Sequence, residues 1–367
     1  MAEPLKYVYN DEFFANFTKS FSAVKKDFDE VHFLKDIHSD DWKNKELKER
    51  MRHISLTMKK HLTDDFTENV TTILKIISHL EASGVEKDGF AYMFLPDFIE
   101  IYGIENYDLS VFAFENITQF VTCEFGVRPF LKKYPQQMYA QMLVWSKHDY
   151  PMVRRLSSEG FRPRLPWGMG IPILKKNPSP ILPVLENLKN DESESVRRSV
   201  ANNLNDISKE HPELVIKLMK KWQGNTAETD WVVKHACRTL LKQGNLEVMQ
   251  LFGFGAIDEI TVTDLEVLTP KVKIGEALKF RFTLKNKSAT AAKIRLEYGV
   301  YYLKANGSLS RKVFKISEKE YAGHSVSVIE KRQSFKVITT RKFYVGAHEI
   351  SVIVNGVEMG KVGFELV

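Results

Sequence analysis

The sequence is poor in cysteine and has no long apolar segment. Its 367 residues include only two cysteines, Cys123 and Cys237, far apart in the chain. Two cysteines exclude a network of disulfides and a zinc site built from four cysteines. No stretch approaches the roughly 20 apolar residues that a membrane helix requires, and the first residues lack the pattern of a secretory signal. We therefore expect a cytoplasmic protein in a reducing compartment, with no membrane partner.

A large excess of charge of one sign is also lacking, but the small excess is unevenly distributed. The chain has 53 Lys and Arg against 47 Asp and Glu. Residues 255–367 contain 19 basic and 12 acidic residues, whereas the preceding part is nearly balanced. Such an asymmetry is typical of proteins that bind nucleic acids or acidic surfaces, although many basic domains bind neither. The net charge alone therefore does not identify a partner.

Up to residue 253 the apolar residues follow a helical period. Residues 63–80 illustrate it, with one predicted buried face at Phe66, Val70, Ile73, Leu74, Ile77 and Leu80. Thr63 is the expected N-cap, and Asp64 and Asp65 are expected in the first turn, where carboxylates stabilise the positive end of the helix dipole. The sequence of residues 152–159 reappears at 195–202 and, more loosely, at 232–239. A period of about 40 residues predicts a HEAT-like α-solenoid over residues 1–253, with a concave surface.

After residue 253 the pattern changes to short alternating runs rich in Val, Ile, Thr, Phe and Tyr. Examples are residues 279–284, 293–302, 326–329 and 349–354. Asn306-Gly307 and Asn355-Gly356 lie between such runs and predict hairpin turns. About seven short strands predict an immunoglobulin-like β-sandwich over residues 254–367, stabilised by its core without a cysteine pair. The fold class is therefore an α domain followed by a β domain.

Helix geometry places three cationic residues of successive repeats at equivalent positions. They are Arg155, Arg198 and His235, and stacked helices lie about 8–10 Å apart. A ladder of this kind can follow a phosphate backbone. The alternative is a solvated face of an ordinary HEAT scaffold, and the pattern alone favours that alternative.

Three carboxylates occur in or near the same repeats, at Glu124, Glu159 and Asp206. Arg128 follows Glu124 by four residues and Arg155 precedes Glu159 by four, a spacing that is typical of weak helical ion pairs. The other interpretation is that acids in a basic groove act on something cationic.

A loop with interleaved arginines and prolines connects these helices. In residues 160–167, Arg162 precedes Pro163, Arg164 lies between Pro163 and Pro166, and the segment ends at Trp167. The arginines are candidate anchors of the loop. From the pattern alone, Trp167 is expected to fill a gap in the core.

Four motifs together resemble the AlkC-type bacterial DNA alkylation repair glycosylases, which are relatives of AlkD. The motifs are residues 122–131, 153–160, 162–167 and 199–209. The resemblance extends over the whole chain and includes the immunoglobulin-like domain that some AlkC proteins carry. Gly126 and Ser157 stand where many members have alanine, and neither position is charged.

The resemblance implies base excision repair, in which cationic N-alkylated bases of the 3-methyladenine class are removed by hydrolysis of the N-glycosidic bond. It also implies catalysis beside bent duplex DNA, without flipping of the base. A carboxylate near C1′ would stabilise a sugar of oxocarbenium character and activate water. The candidate acids are Glu124, Glu159 and Asp206, and Trp167 would form a wall against the deoxyribose or the lesion.

The resemblance further implies contacts with the DNA backbone. Arg155 is expected to hold a phosphate near the lesion, and the other candidates are Arg154, Arg162, Arg164, Arg197, Arg198, Lys234, His235 and Arg238. Adjacent arginines of one helix cannot share a face, so some of them must point elsewhere. The basic sandwich is expected either to clamp the duplex through residues 285–287 or 304–307, or to act as a rigid support.

The expected partner is double-stranded DNA that contains alkylated bases, bound by a monomer without a cofactor. No metal is expected, because the His, Cys and acidic residues lack the spacing of metal ligands. The alternative is a HEAT-repeat scaffold that binds a protein or structured DNA without catalysis, and fold alone does not separate the two. The acids and Trp167, together with the arginine ladder, favour the enzyme.

Overall fold

The computed structural model describes residues 4–38, 41–87, 89–338 and 341–367. Within these ranges the chain is helical as far as Leu251 and forms strands from Ile260 onwards. The helices are α1 (Asp11–Val24), α2 (Glu30–Ile37), α3 (Leu47–Lys60), α4 (Phe66–Ala82), α5 (Phe94–Tyr102), α6 (Tyr107–Ile117), α7 (Val127–Lys133), α8 (Pro135–Trp145), α9 (Pro151–Glu159), α10 (Pro172–Lys176), α11 (Leu182–Leu188), α12 (Glu194–Ile207), α13 (Pro212–Trp222), α14 (Ala227–Ala236), α15 (Arg238–Gln243) and α16 (Leu246–Leu251). The predicted fold class, HEAT-like helices followed by an immunoglobulin-like domain, is confirmed.

Helix α4 shows how closely periodicity predicts these helices. Its buried residues include Val70, Ile73, Ile77 and Leu80, as expected. The predicted N-cap is wrong by two residues: the side chain of Asp65, not Thr63, accepts hydrogen bonds from the backbone N–H groups of the first turn. A carboxylate cap at this position also stabilises the positive end of the helix dipole, so one residue supplies both effects.

Helix α12 packs between α9 and α14 and so brings the repeated motifs side by side. Small and polar side chains permit the close approach of α12 to α9. Ser199 Oγ donates to Ser158 Oγ over 3.0 Å, and Asn203 Nδ2 donates to the carbonyl oxygen of Ser158 over 2.9 Å. These buried hydrogen bonds fix the register of the two helices that carry most of the predicted site.

The chain forms two compact units. The first consists of the residues up to 211 together with 222–236, and the second of residues 212–221 together with 237–367. The second unit therefore includes α15, α16 and most of α13 beside all the strands. The change from helices to strands falls between Leu251 and Ile260. The domain boundary at residue 254 stays a proposal.

The strands of the second unit form two sheets. They are β1 (Ile260–Val267), β2 (Lys271–Val272), β3 (Ala277–Asn286), β4 (Ala292–Leu303), β5 (Leu309–Tyr321), β6 (Val326–Ser334), β7 (Gly346–Val354) and β8 (Val357–Leu366). One sheet has the order β1-β3-β6 and the other β2-β8-β7-β4-β5, and the only parallel pair that the described residues show is β2 with β8. The apolar core of this unit includes Phe280, Phe282 and Val352.

Both predicted hairpin turns are present. Asn355 and Gly356 connect β7 with β8 and have φ values of 44° and 82°, the two positive angles that a tight two-residue turn requires. Gly307 lies between β4 and β5 with a φ of 78°. Across the described part of the chain, no helix is both long enough and apolar enough to cross a membrane.

Candidate active site

A fully buried arginine holds the loop that follows α9. Arg128, on α7, donates from Nη1 to the carbonyl oxygens of Gly160 (2.8 Å) and Arg162 (2.9 Å), and from Nε to that of Met169. Burial, together with the nearby charge of Arg162, lowers the pKa of Arg128 to about 10. The side chain therefore ties both ends of the loop to one helix. The i, i+4 spacing had suggested an ion pair between Arg128 and Glu124. This prediction is wrong, because the guanidinium of Arg128 is directed at these carbonyl oxygens.

Arg162 bridges two of the three candidate acids. Its Nη1 lies 2.6 Å from Oε1 of Glu159, at the end of α9, and its Nε lies 2.8 Å from Oδ2 of Asp206, on α12. All three side chains are buried, with exposed fractions of 8%, 7% and 3% for Arg162, Glu159 and Asp206. Burial alone would lower the pKa of Arg162, but the two carboxylates raise it above its ordinary value. The triad is thus held by charge-assisted hydrogen bonds between separate segments.

One oxygen of this triad has no hydrogen-bond partner among the residues that the structure describes. It is the buried Oε2 of Glu159, whereas Oδ1 of Asp206 lies 3.2 Å from Nζ of Lys209. Leaving a buried acceptor unpaired costs about 1–3 kcal/mol, and such groups are rare except where they serve a function. Glu159 is therefore an acid whose buried oxygen keeps the capacity to accept a proton or a hydrogen bond.

Glu159 lies in the wall of a cavity of about 560 Å³ that also exposes Glu124 and Trp167. Apolar residues from several segments line the rest of it, including Leu5, Leu47, Met51, Phe90, Met93, Phe125 and Leu165. A mostly apolar cavity with a few converging charged groups is the usual form of a small-molecule or nucleotide site. The structure thus brings together three of the four predicted catalytic residues, while Asp206 lies behind Glu159 and Arg162.

Glu124 is paired with Arg155 across the cavity wall. Arg155 Nη1 lies 3.0 Å from Oε2 of Glu124 and donates to Oγ1 of Thr122 over 3.1 Å. Thr122 in turn donates to the same Glu124 oxygen over 2.9 Å. The predicted i, i+4 pair between Arg155 and Glu159 is consequently wrong: Arg155 pairs with Glu124 on another segment, and Glu159 pairs with Arg162 at the start of the following loop.

Trp167 is exposed, so the expectation that it fills a gap in the core is wrong. Its exposed fraction is 68%, and its φ of 61° lies in the left-handed region that L-residues with large side chains rarely adopt. Its carbonyl oxygen accepts a hydrogen bond of 2.8 Å from Nζ of Lys48, on α3. The indole forms part of the wall of the cavity that contains Glu124 and Glu159.

A second cavity, of about 370 Å³, extends the site along α12. Arg155 and Glu159 lie in the walls of both cavities, and Arg198 and Asn202 complete the second one. Two members of the predicted cationic ladder, Arg155 and Arg198, are thereby brought together. Arg198 is ion-paired with Glu194, and its guanidinium lies 5.8 Å from the ring centre of Trp231.

His235, the third member of the predicted ladder, stacks on Trp231. The two rings are 5.0 Å apart and inclined by 7°. Trp231 itself was not predicted, although its position four residues before His235 on α14 was a usable signal. The neighbouring Lys234 is exposed, and Arg238 begins α15 in the second compact unit.

Other predicted DNA contacts are engaged within the protein. Arg154 binds Asp191 with Nε and Nη2, at 2.6 and 3.0 Å, and its Nη1 donates to two backbone carbonyl oxygens. Arg197 donates to the carbonyl oxygens of Asp191 and Glu192. Arg154 and Arg197 thus anchor the segment before α12, on a different face from Arg155 and Arg198. Arg164 forms a surface ion pair with Glu210.

No group of three or more His, Cys, Asp or Glu side chains is placed to hold a metal ion among the residues that the structure describes.

Three residues of the site were not predicted from the sequence in these roles: Lys48, Thr122 and Arg128. Lys48 and Arg128 bind backbone carbonyl oxygens, and Thr122 connects Glu124 with the distant Arg155; such contacts leave no periodic signal in sequence.

Comparison with known proteins places these features in a family. The family described as "DNA alkylation repair enzyme" matches residues 111–240, and the one described as "Uncharacterised protein YhaZ, C-terminal Ig-like domain" matches residues 261–367. The protein YhaZ of Bacillus subtilis (strain 168) is 42% identical over 362 residues, which cover 99% of both chains. The structure of Pseudomonas fluorescens alkylpurine DNA glycosylase AlkC, bound to DNA containing an abasic site analog, matches with a TM-score of 0.94 and 34% identity over 100% of both chains.

Proposed function

The chain belongs to the AlkC-like family of DNA alkylation repair enzymes, and from this membership we propose that it is a DNA glycosylase. Its substrate is duplex DNA that carries cationic alkylated bases of the 3-methyladenine class, and its reaction is hydrolysis of the N-glycosidic bond. The observation that carries the proposal is the unpaired, buried oxygen Oε2 of Glu159, in the wall of the cavity that also contains Glu124 and Trp167.

The chemistry of the substrate explains why a carboxylate suffices. Alkylation gives the base a positive charge, so the electrons of the C1′–N bond leave with the base and neutralise it. Positive charge then develops on the sugar, where a fixed carboxylate stabilises it. Water attacks C1′, and we assign to Oε2 of Glu159 the acceptance of the proton that this water releases. Trp167, with 68% of its surface exposed, is available to pack against the deoxyribose or the lesion.

The geometry supports a ranking of the three acids. Both oxygens of Asp206 already bind cations, Arg162 and Lys209, so we assign to Asp206 the positioning of Arg162. Glu124 is bound by Arg155 and Thr122 through one oxygen. We therefore propose Glu159 as the general base and Glu124 as a second carboxylate that also orients Arg155.

We propose that Arg155 and Arg198 contact DNA phosphates, because both line the cavity next to Glu159. Lys234, His235, Arg164 and Arg238 remain candidates for more distant contacts. Arg154 and Arg197 we assign instead to the scaffold, since their hydrogen bonds hold the segment before α12. Catalysis beside bent DNA without base flipping, action as a monomer and a clamp formed by the sandwich stay parts of the proposal.

The test is release of methylated base from duplex DNA by the purified protein and by Glu159→Gln, Glu124→Gln and Asp206→Asn. We expect Glu159→Gln to lower the single-turnover rate by about 100-fold or more, the usual range for loss of general-base catalysis. Glu210→Gln, which removes an exposed acid, is the control. Absence of release by the wild-type protein would refute the enzyme and favour the scaffold; equal rates for all three site variants would refute the assignment of the acids.

A further inference from the structure

The loop that carries Trp167 is fixed at its ends by Arg128, and its middle alternates between buried and exposed residues. Arg128 binds the carbonyl oxygens of Gly160, Arg162 and Met169. Between these ends Pro163 and Leu165 are buried, whereas the indole of Trp167 is largely exposed. Packing in the core therefore does not hold this side chain in place.

The backbone of Trp167 is constrained from within the loop and from outside it. A φ of 61° places the residue in a sparsely populated region, and residues of this kind persist when their surroundings constrain them. Within the loop, the N–H of Gly168 donates to the carbonyl oxygen of Leu165 over 3.2 Å and closes a turn around Trp167. The contact from outside comes from α3, where Nζ of Lys48 donates to the carbonyl oxygen of Trp167 over 2.8 Å. The two residues are 119 positions apart in sequence.

Lys48 is itself held in the site. Its ammonium group lies 4.8 Å from the ring centre of Phe125, a distance at which a cation and an aromatic face attract each other. Lys48 and Trp167 both line the cavity that contains Glu124 and Glu159, and both line an adjoining cavity of about 300 Å³. The ammonium is thus placed between an aromatic ring and the carbonyl oxygen that it binds.

We propose that Lys48 is a positioning residue, which holds the peptide of Trp167 so that the indole stays in the wall of the active-site cavity. The inference rests on the proposed function, because it assigns to Lys48 an effect on base excision. Lys48 acts through Trp167 and does not contact the reacting atoms. The competing role for an exposed lysine in this place is a phosphate contact, which would strengthen DNA binding irrespective of Trp167.

The first test compares Lys48→Met with Lys60→Met under single-turnover conditions. Lys60 lies at the other end of α3, is 63% exposed and pairs only at the surface with Asp36. We expect Lys48→Met to slow base release by between about 2-fold and 10-fold, the loss that one net hydrogen bond represents. Lys60→Met should leave the rate unchanged, and Lys48→Arg, which keeps a donor, should recover part of it. An unchanged rate for Lys48→Met would overturn the inference.

The second test separates positioning from phosphate binding. With Trp167→Ala in place there is no indole to hold, so Lys48→Met should cause no further loss of rate. Full additivity of the two losses would overturn the inference. The salt dependence of DNA binding should also keep its slope in Lys48→Met, whereas a slope shallower by about one unit would make Lys48 a phosphate contact.

A third readout needs no activity. The full-length protein can be labelled with 5-fluorotryptophan, and the ¹⁹F resonance of Trp167 identified by its loss in Trp167→Phe. We expect Lys48→Met to shift or broaden this resonance and Lys60→Met to leave it unchanged. No change in Lys48→Met would overturn the inference. If the wild type releases no base while this resonance still responds, the proposed function fails and the role of Lys48 as the tether of Trp167 stands.

Discussion

Replacing Arg162 with methionine tests whether the buried triad holds the site together. The guanidinium of Arg162 is the link between Glu159 and Asp206, and all three side chains are more than nine-tenths buried. Methionine keeps much of the apolar volume but removes the charge and both hydrogen bonds. The two carboxylates would then remain in a poorly solvated environment without the cation that binds them both.

The expected cost follows from this geometry. Removing one partner of a buried ion pair typically lowers the free energy of unfolding by about 3–5 kcal/mol, because the remaining charge is left uncompensated. Arg164, two residues later in the same loop, provides the matched control. Its side chain is 38% exposed and pairs with Glu210 at the surface. Arg164→Met should therefore change the free energy of unfolding by no more than about 1 kcal/mol.

The measurement is urea unfolding at neutral pH, followed by far-ultraviolet circular dichroism. Equal destabilisation by Arg162→Met and Arg164→Met would refute the reasoning, since the prediction depends on the difference in burial. A third variant checks the cause. Combining Arg162→Met with Glu159→Gln and Asp206→Asn removes the stranded charges and should recover more than half of the lost stability. Failure to recover would show that the loss arises from packing and not from charge.

Two further predictions concern the second compact unit. Gly356→Ala should lower the free energy of unfolding by at least about 1 kcal/mol more than Gly307→Ala. Both glycines have positive φ, but a Cβ at Gly356 would lie 2.3 Å from Cα of Gly244, whereas nothing lies within 4 Å of a Cβ at Gly307. Equal thermal midpoints of the two variants would contradict this. His348→Phe should reduce the loss of stability on acidification. Burial lowers the pKa of His348 in the folded protein, although a backbone hydrogen bond to Gly346 partly opposes this. The stability that the neutral imidazole contributes is therefore complete above the pKa of the unfolded state, about 6.5, and is lost as pH falls through the pKa of the folded state. Urea midpoints at neutral pH and at about pH 5 check this, and an identical drop in both proteins would contradict it.

Elements and their buried faces were the part of the structure that sequence could predict. The period of apolar residues in α4, the alternation at the start of β3 and the turn at Asn355-Gly356 are local properties, so each segment carries its own signal. The alternation of β4 did not predict its burial, because the middle of this strand is buried on both faces. The repeats further indicated that Arg155 and Arg198 are equivalent, and both line one cavity. Repeats of similar sequence stack as similar units, and this stacking determines the distance between equivalent positions.

The pairing of charges could not be predicted from helical spacing, because it depends on contacts with another segment for Glu124 and with the loop after α9 for Glu159. The i, i+4 spacing suggested two ion pairs, Glu124 with Arg128 and Arg155 with Glu159. In the structure Glu124 pairs with Arg155, and Glu159 pairs with Arg162. A helix permits a weak i, i+4 pair, but burial favours whichever partner shares the same desolvated region. The exposure of Trp167 could not be predicted either. It accompanies a left-handed backbone angle, and a bulky residue in the sequence gives no sign of such an angle.

The pairing has a consequence for how the proposed enzyme would distinguish the transition state from the substrate. Cations already bind both oxygens of Asp206, so this acid gains little by also binding a cationic base in the ground state. Glu124, like Glu159, is bound by an arginine through one oxygen, but its side chain is 14% exposed against 7% for Glu159. Glu159 has one oxygen bound by Arg162 and one without a partner. As the glycosidic bond breaks, positive charge leaves the base and develops on the sugar, and only an interaction that strengthens during this transfer accelerates the reaction. A carboxylate oxygen that is fixed by its neighbours but not satisfied by them is suited to that task, because it needs little reorganisation when the charge arrives.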